Sequence, residues 1–311
     1  SAGAVAGCLL ADFWLIPGEG LGATVRWAMV MNLLAGLGAL ALDRQRYPIE
    51  PEIAGIPEDA QRVERFSSEE LKLAVLAIGA SGFVAMLYEV AWTRLLALVM
   101  GSSTHAFSIM LATFISGIAA GAWLLGRWRR TGRALEACAW LEIALAAAIL
   151  FSMSVYSYLP YWFASVANLL TRSEEAYPLY VAIQVATCFA VAFVPTVFLG
   201  MTFPLASRVA AGDVSGRGGA VGRVYAVNTL GTVLGAVVAG LCLMPWLGLA
   251  RTFVIGAGIN LALGLAILDR NHRSRRVLLA GSAIALTIGF LAVSVPWLDH
   301  WPQRLNRGLW R

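Results

Sequence analysis

The sequence predicts an all-α polytopic membrane protein, and three observations carry that prediction. Of its 311 residues, 59% are hydrophobic and 13% are charged, whereas a soluble protein of this length carries about 25% charged residues. The mean hydropathy is +0.74. Several apolar runs reach the roughly 20 residues that a helix needs to cross a bilayer. They are too long and too uniformly apolar to be the short alternating strands of a transmembrane barrel.

Taken in order, the apolar runs define nine membrane segments at 2–16, 22–42, 73–100, 104–126, 134–155, 178–206, 220–244, 250–268 and 277–295. The first is short, as in a chain that starts partway into a helix, and no initiator Met or signal-peptide n-region precedes it. Basic residues alternate between the connections. Residues 43–72 carry Arg44, Arg46, Arg62, Arg65 and Lys72, and residues 127–133 carry Arg127, Arg129, Arg130 and Arg133. Arg208, Arg217 and Arg223 lie in 207–223, and Arg270, Arg273, Arg275 and Arg276 lie in 269–276. The opposite connections hold almost none: Arg172 alone in 156–177, and Arg251 just beyond 245–249. The positive-inside rule places the first set in the cytoplasm. The tail 296–311, with Arg304, Arg307 and Arg311, then lies outside and stands as the exception.

The net charge of +5 therefore reports topology rather than a nucleic-acid groove. Residues 43–72 also hold eight acidic residues and three prolines, and read as a solvated cytoplasmic linker. Its end, RFSSEELK, offers Ser67 or Ser68 followed by Glu70 as a helix start. Residues 156–177 are aromatic and too polar to span, which predicts an interfacial helix on the outer face. The four cysteines, Cys8, Cys138, Cys188 and Cys242, are scattered singly in apolar segments, a pattern of packing rather than of a disulfide framework.

An internal repeat is legible. Shifting the chain by 228 residues lays GAVAGCLLADFWLIPGEGLGAT on GTVLGAVVAGLCLMPWLGLART without a gap, pairing Gly3 with Gly231, Gly7 with Gly235, Pro17 with Pro245, Gly20 with Gly248 and Thr24 with Thr252. Asn32 meets Asn260, and Gly36 meets Gly264. The period spans six membrane segments, 73–268. An even number gives successive units the same orientation, the parallel-repeat arrangement of major facilitator halves. The chain is thus read as follows: 1–42, the last two helices of a truncated first repeat; 43–72, the linker; 73–268, a complete six-helix repeat; 277–295, an extra helix; 296–311, a tail leading toward an absent soluble domain.

SGFVAMLYEVAWTRLLALVMGSSTHAFSIMLATFISGIAAGAWLLGR and VGRVYAVNTLGTVLGAVVAGLCLMPWLGL resemble the membrane region of bacterial fused major-facilitator/spermidine-synthase-like proteins, over nearly all of residues 1–300. YEVAWTR, GSSTHAF, GMTFP and YAVNTLG are its most specific parts. The resemblance implies a major-facilitator-like helical bundle in a bacterial cytoplasmic (inner) membrane, and a soluble aminopropyltransferase-like domain after it. No strand with a glycine-rich loop and diamine-holding acids is present, so no aminopropyltransferase activity carries over. A soluble domain after residue 296 would also lie outside, away from cytoplasmic nucleoside substrates. GAWLLGRWRRTGRAL resembles the cytoplasmic loop signature of major facilitators, which makes Gly121, Arg127 and Arg130 gating-loop candidates. Its usual Asp is replaced by Gly126.

The polar residues inside apolar runs are the candidate site. Glu89 lies about 24 Å along its helix at 1.5 Å per residue, where an ionised carboxylate must be protonated, paired or hydrated. Arg94, about 140° further round, cannot pair with it inside one helix and can snorkel outward. Each is expected to find a partner on another helix. Tyr88, Trp92, His105, Glu142, Gln184 and Asn228 complete the candidate substrate or ion set, with Glu136 and Asn260 as further buried polar groups. Glu89 reads as a cation or proton site, with a polyamine as the obvious substrate, or as a polar lock between helices. Gly117–Gly121 and Gly231–Gly235–Ala239 read as close-packed seams, and Pro195 with GMTFP (200–204) as a kink or break in the sixth segment. No metal ligand set, P-loop or catalytic triad is visible, and no cofactor is expected. Two roles follow: a transporter-like domain handling polyamines or related cations, or a non-transporting scaffold that anchors a fused domain or other membrane subunits.

Overall fold

A computed structural model describes residues 2–44, 68–101, 103–127, 134–156, 158–169, 176–210, 217–270 and 281. The described residues are helical, with no strand among them. The helices are α1 (Ala2–Leu10), α2 (Ile16–Glu19), α3 (Leu21–Arg44), α4 (Ser68–Met100), α5 (Thr104–Arg127), α6 (Ala134–Tyr156), α7 (Leu159–Leu169), α8 (Tyr177–Cys188), α9 (Val194–Ala210), α10 (Arg217–Val238) and α11 (Met244–Arg270). Seven stretches are long and apolar enough to cross a membrane, which makes this a multi-pass membrane protein. The last of them, Gly222–Leu268, has 47 residues, about 70 Å at 1.5 Å per residue. That is more than twice the roughly 30 Å hydrocarbon core, and the stretch is interrupted at Gly248 (φ 82°, ψ 170°). These stretches overlap the first eight predicted segments, the last stretch covering two of them. Apart from residue 281, the ninth, 277–295, lies outside the described residues, as do 45–67 of the linker 43–72, the tail 296–311 and the gating candidate Arg130.

Three π-helical turns interrupt the helices, at Ala11–Leu15, Phe189–Phe193 and Ala239–Leu243. Each ends two residues before a proline: Pro17, Pro195 and Pro245. The cause is local. A proline has no N–H and its ring collides with the carbonyl four residues back, here at Phe13, Val191 and Leu241, in the middle of each π turn. Widening that turn relieves the collision and keeps the helix continuous. The sixth segment is therefore distorted before Pro195, one of the two places that the sequence suggested, and not at the other, GMTFP. There α9 continues through Pro204.

The 228-residue repeat reappears in backbone geometry. The π turns 11–15 and 239–243 are in register, and Gly20 (φ 81°) and Gly248 (φ 82°) share a left-handed conformation that favours glycine. Thr24 donates to the Gly20 carbonyl at 3.0 Å, and Thr252 to the Gly248 carbonyl at 2.9 Å. Burial does not repeat. Val25, Met29 and Leu33 are 48%, 65% and 62% exposed, while their counterparts Phe253, Ala257 and Leu261 are buried.

Glycine seams set the packing. A methyl at Gly235 would overlap the Phe83 carbonyl, and one at Gly231 the Gly79 carbonyl, so α10 runs parallel to α4. Phe253 packs against Trp92 with its ring tilted, and Gly256 faces Tyr88, so α11 runs antiparallel to α4 and the chain reverses at Gly248. Gly117 and Gly121 meet Thr196 and Val197 the same way, joining α5 to α9. Both small-residue rows serve as packing seams. The segment read as interfacial contributes α7, whose Tyr161 and Trp162 are exposed.

Candidate functional site

A cavity of about 810 Å³ lies between α4, α5, α9 and α10. Glu89 on α4 lines it, half-buried. Phe114, Phe203 and Tyr225 supply aromatic walls, and Ser207, Asn228 and Thr232 supply polar atoms. None of the described lining residues is Lys or Arg. The Ser207 hydroxyl is buried with no hydrogen-bond partner. The Glu89 backbone carbonyl accepts from Thr93 at 2.7 Å, whereas its carboxylate makes no hydrogen bond or ion pair with the described residues.

Asn228 is held there by close packing. A methyl on Gly82 would stand 2.7 Å from both the backbone and side-chain oxygens of Asn228, so glycine on α4 lets α10 bring its amide to the cavity. Of the predicted set, the structure unites Glu89 and Asn228. It adds Ser207, Tyr225 and Thr232, which the sequence reading passed over because hydroxyls in apolar helices commonly bond back to their own backbone.

Arg94 is exposed on α4 and pairs with neither Glu89 nor another described acid. The expectation that Glu89 and Arg94 each find a partner on another helix is corrected: among the described residues neither side chain is bonded to one, Glu89 facing a cavity and Arg94 facing outward. Tyr88 and Trp92 sit in the core, not in the cavity. Trp92 Nε1 donates to the Tyr156 hydroxyl at 2.8 Å, and Asn260 donates to the Tyr88 hydroxyl at 3.1 Å. The rings of Tyr88, Trp92, Phe114, Tyr156 and Phe253 form one aromatic cluster. Its polar core is expected to be sensitive to a single oxygen. Tyr156→Phe leaves the Trp92 N–H without its acceptor, a loss of about 1–3 kcal/mol, which thermal unfolding of the purified protein measures against the parent.

His105 has a partner that the sequence did not disclose. Its Nδ1 lies 2.7 Å from Asp12, which is 2% exposed, and Phe13 stacks on its ring at 5.1 Å between centroids. With the Cys8 thiol donating to the Ser108 carbonyl at 3.6 Å, this contact fastens α1 and its π turn to α5. Asp12 was the one acid in the first segment, but nothing local marks a pairing 93 residues away. Glu142 and Gln184 are buried on α6 and α8, away from the cavity. Gly121 belongs to the α5–α9 seam, and the Arg127 guanidinium lies 3.8 Å over the Trp123 ring, a cation–π contact at the end of α5.

In chemical terms, the cavity offers one unpaired carboxylate, neutral acceptors and π faces in an apolar surround. That combination suits an organic cation: an ammonium is attracted by the carboxylate and by ring faces, and its N–H groups need acceptors once water is removed. Compared with known proteins, the chain matches no family model, no curated protein and no solved structure.

Proposed function

We propose that this chain is a transporter-like membrane domain, in a bacterial cytoplasmic membrane, that binds a polyamine or related organic cation at Glu89. The observation that supports this reading is the cavity's charge: a carboxylate unpaired among the described residues faces about 810 Å³ of space whose described lining includes no basic side chain. An intramembrane acid is costly and is typically kept for a pathway or a partner, and the volume falls within the range of small-molecule sites. The likeness to spermidine-synthase-like membrane proteins narrows the cation to the polyamine class. We also read residues 1–42 as the last two helices of another unit of the same kind. In support, α3 repeats the geometry that opens α11 while leaving exposed the face that α11 buries.

The same exposed face supports the second reading, a non-transporting scaffold. An apolar helix with Met29 and Leu33 outward suits lateral contact with other membrane subunits as well as with lipid. Uptake by the full-length protein in proteoliposomes separates the two. Labelled diamines and triamines are expected to accumulate, and a diol of equal length is not. No flux of any polyamine assigns the scaffold role.

A further inference from the structure

The second buried acid stands apart from the cavity. Glu142 on α6 is 0% exposed, and both of its carboxyl oxygens are buried without a hydrogen-bond partner. Asn260 on α11 is 1% exposed and gives its amide N–H to the Tyr88 hydroxyl at 3.1 Å, which leaves its own side-chain oxygen without a donor. The two residues belong to one junction. Gly264, one turn beyond Asn260, faces Glu142 so closely that a methyl there would lie 3.4 Å from the Glu142 Cβ. Gly256, one turn before Asn260, faces the Tyr88 ring.

If Glu142 were ionised, its charge would sit on two buried oxygens that no hydrogen bond reaches among the described residues, and the third orphan atom, the Asn260 side-chain oxygen, is also an acceptor. No described basic side chain pairs with it. The titratable groups beside it are Tyr88 from α4 and Cys138 on α6 itself, while α9, which also packs against α6, carries one charged residue, the exposed Arg208. Tyr88 and Cys138 are acids, and neither neutralises a carboxylate. From α11 the facing groups are Asn260 and Gly264, which carry no charge. An unpaired charge sealed from water in a membrane core is strongly disfavoured. One added proton cancels that charge.

We infer that Glu142, with Asn260 and Tyr88 around it, is a buried proton-binding site, distinct from the Glu89 cavity. The carboxylate takes up one proton to become a neutral carboxylic acid. This assignment holds whether or not the Glu89 cavity moves a cation, and its test does not depend on flux.

Infrared difference spectroscopy on the purified full-length protein at neutral pH reads the protonation state directly. Subtracting the Glu142→Gln spectrum from the parent is expected to show one carboxylic-acid C=O band that shifts in D2O, and the Glu89→Gln protein is expected to retain it. The thermal midpoint of Glu142→Gln should stay within a few degrees of the parent, because glutamine is neutral and nearly isosteric. Should that variant fail to fold, the parent carrying 13C-labelled glutamate carboxyls answers the same question, with Glu89→Gln as the control. Loss of a carboxylate band instead, loss of the acid band in Glu89→Gln, or a sodium-dependent thermal shift that Glu142→Gln abolishes would overturn the inference.

Discussion

Replacing Glu89 by Gln is expected to lower polyamine uptake by the full-length protein about 30-fold or more. The change keeps the side chain's size and removes its charge. Truncating one member of a desolvated charge pair costs about 2–5 kcal/mol, and the lower figure alone is more than a tenfold change in an equilibrium constant. The bound ammonium would find its remaining acceptors at Asn228 and Ser207, which are dipoles and cannot offset a buried positive charge. Arg94→Gln serves as the control: Arg94 is exposed and away from the cavity, so uptake should change less than about twofold. Equal uptake by parent and Glu89→Gln would remove the acid from the transport path.

The largest loss of stability is expected at the α5–α9 seam. A methyl at Gly121 would overlap the Val197 carbonyl and stand 3.0 Å from the Gly200 carbonyl carbon, and one at Gly200 would stand 2.6 Å from the Ile118 Cα. These neighbours are backbone, so no rotamer change relieves the overlap and the helices must separate. Overpacking typically costs about 1–3 kcal/mol, and a backbone-to-backbone clash belongs at or above the upper end. Gly121→Ala and Gly200→Ala should therefore lower the thermal midpoint of the detergent-solubilised protein by several degrees each. Gly126→Ala, with nothing within 4 Å, should leave it unchanged or raise it, since alanine in a helix is favoured over glycine by about 1 kcal/mol. A midpoint unchanged in all three would mean that the seam is looser than the structure shows.

The sequence singled out Glu89 as a candidate, but not its surroundings. A carboxylate in the middle of an apolar run announces itself, whereas Ser207 and Tyr225 look like ordinary helix residues until α9 and α10 are placed beside α4. Trp92 and Tyr156 are 64 residues apart, and Asp12 and His105 are 93 apart. No spacing rule links either pair. Arg94 shows what helix geometry does give: five residues turn it about 140° from Glu89, which predicted an outward side chain, and it is exposed.

Helix spans, loop charge and backbone distortions were written into the chain, because in lipid each backbone N–H and C=O must be satisfied within its own segment. Proline and glycine therefore act where they stand. Pro17, Pro195 and Pro245 each widen the turn before them, and Gly20 and Gly248 repeat one bend 228 residues apart. Which face of each helix meets which neighbour was settled by packing over the whole bundle. Each residue turns a helix by about 100°, so a side chain's surroundings depend on how distant glycine seams set rotation and depth. That is why Glu89 faces a cavity and Glu142 is sealed among helices, although both are acids in apolar runs.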